Sequence, residues 1–282
     1  MTRARAMARI LAVSPHLDDA VLSYGGRLAM LASAGHQIVV YTVFAGTPSP
    51  PYSPVAAAYH SMWQLTGDPV APRRAEDRRA LSALGVTPVH GGFLDAIYRR
   101  DEHGASLVQD GQPTEYQREE PGLLADIAAA LEQAIIEHRP DQVVTCAAIG
   151  AHVDHRRARD GTVAAAARTG AQLKLWTDFP YITWEPDVVP ALPGYASLAG
   201  TVAEPLTSAG LRSWATAYQC YQSQLSMLEE HGPLPERLMA YCAANASRFG
   251  VTGAYEVVRQ VTLQGSRRST AICRRPASGP GR

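Results

Sequence analysis

Lysine is almost missing from this chain: Lys174 is the only one among 26 basic residues. Cysteine is sparse too. Cys146, Cys220, Cys242 and Cys273 show no paired spacing, which argues against a disulfide framework or a cysteine-type zinc site and suggests thiols of a reducing compartment. No apolar run is long enough to cross a bilayer. Arg3, Arg5 and Arg9 precede only a short apolar stretch, residues 10–13, too brief for a signal-peptide core. A cytoplasmic location without membrane insertion is the expectation. An excess of charge of either sign is also lacking, since 26 basic residues meet 26 acidic ones. That balance argues against nucleic acid or an anionic membrane as the main partner. No internal repeat is visible, and oligomeric state stays open.

What is present suffices for a globular core: 46% of the 282 residues are hydrophobic. Residues 1–8 read as a disordered leader and 265–282, rich in Ser, Arg, Pro and Gly, as a flexible tail. That leaves 9–264 as a single domain. Short apolar runs bounded by turn residues predict buried strands at 9–14, 37–44, 88–94, 141–147 and 172–176. Helical patterns at 20–34, 71–84, 123–138 and 156–168 alternate with them. Gly25-Gly26 inside the first helix suggests close packing or a local break. Residues 96–121 form a long polar loop of the kind that contacts substrate or acts as a lid. A Pro-rich connector at 185–193, helices at 211–228 and 234–246 and a last strand at 255–263 complete the body.

The alternation predicts an α/β fold: a Rossmann-like parallel sheet of order about 3-2-1-4-5, helices on both faces, and helical and strand additions at the C-terminal end. In such sheets ligands sit at the carboxyl ends of strands where the strand order reverses. Two acidic and histidine-rich turns follow strands one and four: Pro15-His-Leu-Asp-Asp19 and Ala151-His-Val-Asp-His155. Topology and motif positions agree, although neither was used to place the other.

Together the turns offer three His and three Asp. A hydrolytic zinc site takes three protein ligands and leaves a position for water. His16, Asp19 and His155 make a two-His, one-carboxylate set. Adjacent Asp18 and Asp19 point apart in an extended turn, so one can bind metal while the other, Asp18, serves as general base toward the attacking water. His152, if protonated, would be a second stabiliser of the oxyanion. Asp154 lies where it can orient a neighbouring imidazole. Imidazole and carboxylate suit Zn²⁺ and also Fe²⁺.

These turns resemble the PIG-L/LmbE family of metal-dependent N-acetylglucosaminyl deacetylases, whose motifs commonly read Pro-His-Pro-Asp-Asp-Glu and His-Pro-Asp-His. Arg73-Arg-Ala-Glu-Asp77, Phe93-Leu-Asp95, Asp178-Phe-Pro-Tyr181 and Tyr221-Gln-Ser-Gln-Leu225 extend the likeness to about residue 230. The resemblance implies metal ligands His16, Asp19 and His155, base Asp18, transition-state stabilisation by His152, and sugar contacts from Arg73 and Asp95. It also implies a small-molecule sugar conjugate as substrate. Leu17, Val153 and Ala20 depart from the motifs without removing a ligand. Mycothiol-pathway members carry a catalytic Tyr two residues before the second motif, where Gly150 stands. The His-Leu-Asp-Asp-Ala-Val-Leu-Ser variant is similar to deacetylases of actinobacterial natural-product pathways, such as those acting on teicoplanin-type glycopeptides.

Blander readings stand beside this one. Asp18 or Asp19 could merely cap the next helix, Arg73 could lie on a solvated helix face, and Asp178 reads better as a turn cap than as a site residue. His36, His60, His90, His103, His138 and His231 read as ordinary surface or packing residues, and Trp63, Trp176, Trp184 and Trp214 as core rather than sugar platforms, with Trp184 in the Pro-rich connector the one to watch. Rival functions are an inactive carbohydrate-binding protein on the same fold and a deacylase for a different acyl group. A receiver-like signalling domain would need a Lys at a strand end, whereas Lys174 lies inside a predicted strand.

Overall fold

A computed structural model describes residues 7–108, 120–185 and 187–264. Five parallel strands form its centre: β1 (Arg9–Ser14), β2 (Gln37–Thr42), β3 (Thr87–His90), β4 (Gln142–Cys146) and β5 (Leu173–Trp176). Two further strands, β6 (Ala196–Leu206) and β7 (Ala254–Leu263), complete a sheet of order β3-β2-β1-β4-β5-β7-β6. β7 runs antiparallel to both β5 and β6. The predicted 3-2-1-4-5 core is therefore present, with β7 and β6 added beyond β5.

The helices are α1 (Asp19–Ser33), α2 (Pro54–Met62), α3 (Val70–Ala83), α4 (Pro121–His138) and α5 (Val153–Thr169), then α6 (Ser208–Tyr218), α7 (Leu225–Leu228) and α8 (Leu234–Arg248). They cover both faces. On β1, Ile10 and Ala12 pack into a core with α1, α3, α6 and α8. Leu11 and Val13, on the opposite face of the pleat, pack with α4 and α5. A strand buried on both faces reads as an unbroken apolar run, as residues 10–13 do. Among the described residues no helix is long and apolar enough to cross a membrane.

Gly25-Gly26 mark close packing, and α1 runs through them without a break. A Cβ on Gly25 would stand 3.1 Å from Cδ1 of Trp214, and one on Gly26 would stand 3.1 Å from Cδ2 of Leu206. Strand β3 stops at His90 instead of continuing to residue 94. Gly91 there passes so near the loop after β2 that a Cβ would lie 2.6 Å from the Val43 carbonyl oxygen.

Two elements were not foreseen. Helix α2 starts at Pro54, where the Ser53 side chain accepts from Ala56 N. Strand β6 lies at the sheet edge and is mostly exposed, so it carries no apolar signature, and its ladder to β7 holds it in place. The helix expected over 211–228 is broken into α6 and α7. Between them Tyr221 donates to Asp77 Oδ1 (2.8 Å), while Ser223 donates from N and Oγ to the Glu76 carboxylate (2.9 and 2.6 Å). These buried anchors to α3 draw the segment off a helical path.

The long loop after β3 contains a 3-10 turn, Ala96–Tyr98, and an isolated bridge from Arg100 to Ser106; residues 109–119 lie outside the described residues. So do the expected tail and residues 1–6 of the expected leader. Ala8 is tied to the body, donating from N to His36 Nδ1.

Candidate metal centre

Strands β1 and β4 are parallel neighbours, with Val13 opposite Thr145. The chain leaves β1 for β2 on one side and meets β4 on the other, so strand order reverses between them. The two turns therefore emerge side by side. The β1 turn is shaped by Ser14, whose Oγ donates to the His16 carbonyl (2.7 Å) and accepts from Ala20 N (3.0 Å). Asp19 Oδ2 accepts from His16 N at 2.8 Å, closing the turn. The Asp18 side chain makes no capping bond to α1, which removes the helix-cap reading for it.

Three donors converge. Asp19 Oδ2 lies 3.2 Å from His16 Nδ1 and 3.3 Å from His155 Nε2. His155 Nε2 is buried and has no hydrogen-bond partner. An orphaned imidazole nitrogen beside a carboxylate and a second imidazole is a cost unless something fills the gap. The donor set His16, Asp19 and His155, with ligand atoms within 4.8 Å of one another, fits a divalent cation.

Each imidazole is backed by a buried carboxylate. His16 Nε2 lies 3.0 Å from Asp154 Oδ2. His155 Nδ1 lies 3.1 Å from Asp178 Oδ1, and Asp178 Oδ2 accepts from Ala147 N and Ile149 N. Such partners fix which ring nitrogen faces the metal and raise the ligand's basicity. Asp154 is itself fully buried and accepts from Arg99 Nη1 (2.6 Å) and Ala96 N (2.9 Å). Arg99 in turn holds Glu120 through Nε and Nη2. Cys146 also lies near His155, but its thiol donates to the His155 carbonyl, and burial pushes its pKa well up.

The electrostatics call for positive charge. Burial works against a charged His16, yet Asp95, Asp154 and Asp19 outweigh it and hold its pKa well above the ordinary value. His155 is pushed to about 9, burial being overcome by Asp19 and Asp178. A bound cation supplies the charge these carboxylates favour.

Asp18 differs from its neighbour. Burial and the Asp19 charge push its carboxyl up to about 6, against the pull of Arg73 and His16. Arg73 Nη2 stands 3.8 Å from Asp18 Oδ2, and its guanidinium lies 4.6 Å over the Trp63 ring. Arg73 is buried, so it is not on a solvated face. Asp95 Oδ2 is 3.7 Å from His16 Nε2. All of these line one cavity of about 370 Å³ that opens past Trp184, which is 52% exposed. His231, expected to be ordinary, also lines it and packs edge-on to Trp184.

His152 sits beside His16, the two ring centroids 4.9 Å apart. Burial and the adjacent His16 push its pKa well below the ordinary value, and its Nδ1 accepts from Asp154 N at 3.1 Å. That shift favours the neutral ring, and a Nδ1 that accepts leaves Nε2 to carry the N–H. Reasoning from sequence missed Arg99 altogether and took Asp178 for a turn cap. Gly150 adopts φ +84°, and a Cβ there would lie 2.4 Å from Cδ1 of Tyr181. The Tyr181 ring thus packs against position 150 and meets His155 edge-on at 5.4 Å.

The sequence profile described as GlcNAc-PI de-N-acetylase, PIG-L, matches residues 11–166. The chain belongs to the PIG-L family. The match contains both turns and the strands that carry them. Among curated PIG-L-like relatives, a 1D-myo-inositol 2-acetamido-2-deoxy-alpha-D-glucopyranoside deacetylase of Saccharopolyspora erythraea is 34% identical over 61% of this chain and 58% of its own length. A 2'-N-acetylparomamine deacetylase of Niallia circulans is 30% identical over 60% of this chain and 66% of its own length. The chain thus spans about three-fifths of the length of the curated relatives it matches. Solved structures align further. The zinc-inhibited form of teicoplanin deacetylase Orf2 is 36% identical with a TM-score of 0.85, over 92% of this chain and 99% of that one. The A40926 pseudoaglycone deacetylase Dbv21 is 36% identical with a TM-score of 0.78, over 92% and 98%.

Proposed function

We propose that this protein hydrolyses the N-acetyl amide of an N-acetylglucosamine-type sugar conjugate, with zinc held by His16, Asp19 and His155. The observation that carries the reading is the orphaned Nε2 of His155, which faces Asp19 and His16 and adjoins a carboxylate, Asp18, not committed to a helix cap. Bound zinc would act as a Lewis acid and make water acidic enough for a carboxylate to deprotonate.

The chain's own groups fit the remaining tasks. Asp18, with a pKa raised to about 6, is ionised near neutral pH and basic enough to take the proton of the attacking water. Arg73 keeps that carboxylate oriented from 3.8 Å. The neutral His152 offers its Nε2–H to the developing oxyanion; one such donor is worth roughly 3–4 kcal/mol of barrier. Asp154 and Asp178 hold the two ligand imidazoles in place, while Asp95 and Arg73, on the cavity wall, suit the sugar hydroxyls.

The substrate is a conjugate with a bulky aglycone. The teicoplanin and A40926 pseudoaglycone deacetylases are similar to this chain over almost its whole length. The exposed Trp184 and Met62 at the cavity suit an apolar aglycone better than water. Natural-product biosynthesis is the setting this supports.

The test is amine release from N-acetylglucosamine free or linked to inositol, nucleotide or glycopeptide, using zinc-loaded wild type, Asp18→Ala and chelated protein. Turnover on the glycopeptide that vanishes in both controls is the expected result. Metal bound at one per chain with no turnover on any conjugate would point to another acyl group or to a binding role. Failure to bind metal would remove the ligand assignment itself.

A further inference from the structure

A second cavity is larger than the metal cavity. It holds about 690 Å³ and lies between α8, the antiparallel pair β6 and β7, and the segment after β5. Its lining is mainly apolar and includes Ile182, Val188, Leu198, Val257, Tyr241 and Phe249. Three guanidinium groups interrupt it: Arg237, Arg248 and Arg259. Asp187, itself exposed, is the sole acidic residue among the described lining.

None of the three arginines forms an ion pair among the described residues. Arg259 donates from Nη1 to the Thr177 hydroxyl at 2.9 Å. Arg237 donates to the Leu228 carbonyl and the Thr183 hydroxyl. Burial presses the Arg259 pKa below the ordinary arginine value. Arg259 is only partly buried, and the Asp178 carboxylate next to Thr177 offsets part of its desolvation; a bound anion would offset more. A planar guanidinium also pairs with flat or trigonal oxyanions. The volume falls in the range of pockets that take a drug-sized molecule.

We propose that this cavity is a second ligand site, separate from the metal centre, for an amphipathic aromatic anion. The anionic head would lie on Arg248 and Arg259, and the aromatic body would rest against Tyr241, Phe249 and the aliphatic wall. Arg237 lines both cavities, and Thr177 adjoins Asp178, so the new site shares a partition with the metal centre without sharing its ligands.

The probe is 8-anilinonaphthalene-1-sulfonate, compared with N-phenyl-1-naphthylamine, the same ring system without the charge. Fluorescence titration of the full chain, metal-free and zinc-loaded, is expected to give one saturable site for the sulfonate in both forms. The neutral compound should bind at least tenfold more weakly. Arg248→Gln, at an exposed position, should weaken the sulfonate at least tenfold with thermal unfolding unchanged, and Arg259→Gln should do the same. Ala244→Trp, which fills the cavity from an exposed helix position, should abolish the site. The proposal is overturned if the neutral compound binds equally well, if Arg248→Gln is silent, or if excess N-acetylglucosamine displaces the probe. Because the metal-free protein suffices, its outcome is independent of whether deacetylation is observed.

Discussion

Asp178 Oδ1 stands 3.1 Å from Nδ1 of His155, while its other oxygen accepts from two backbone amides of the loop that follows β4. One carboxylate therefore aims the imidazole and shapes the loop that delivers it. Asp178→Ala should weaken zinc binding about 10–100-fold. Competition against a chromogenic chelator would measure it. Unchanged affinity would mean that the Asp178–His155 contact does not tune the ligand.

The Asp18 carboxylate faces Arg73 and makes no contact needed for the turn. Asp18→Asn should retain one zinc per chain and lose turnover by about 10²–10⁴-fold, the usual worth of a general base. Metal content by elemental analysis, beside single-substrate kinetics, separates the two effects. Loss of zinc together with activity would place Asp18 among the ligands.

The Arg99–Asp154 pair is almost wholly out of water, at 8% and 0% exposure. Removing one partner of a buried pair strands the other charge at a cost of about 3–5 kcal/mol. Arg99→Ala should lower unfolding free energy by that amount in urea, even in metal-free protein. A loss below about 1 kcal/mol would show that the pair is screened.

Glu256 on β7 is buried directly across from Glu204. Burial and that neighbour push its carboxyl well above the ordinary value of 4.5. A folded-state pKa above the unfolded one means that the folded chain binds more protons. The stability this contributes is complete below about pH 4.5 and drains away as pH rises through the folded value. Glu256→Gln, which needs no proton, should gain on wild type with rising pH. At pH 8 it should melt roughly 2–4 °C higher, about 1 kcal/mol, with little difference at pH 4. An equal shift at both pH values would exclude titration of Glu256 as the cause.

What was legible in the sequence follows from range and burial. Residues 10–13 and 142–146 read as strands because both faces are covered, and the turns after them announce their chemistry within five residues each. Strand β6, an exposed edge with few apolar side chains, offers no such pattern. The anchors that break the helix before α7, Tyr221 and Ser223, are 144 and 147 residues from their partners, so local periodicity gave no warning. Arg99 and Asp178 act across 55 and 23 residues on Asp154 and His155, which no spacing rule encodes. The pull of His152 toward the neutral ring comes from burial and the adjacent His16, neither visible in a motif.

His16 and Asp154 are 138 residues apart in the chain, and both reach the centre only because β4 lies beside β1. A growing chain that has completed β1, β2 and β3 holds His16 and Asp19 but neither His155 nor the carboxylate behind His16. Two ligands on one turn bind zinc poorly, so capture waits for the long-range closure of β4 onto β1, the slow kind of contact in folding. Metal uptake during refolding would then be a clock for that single pairing.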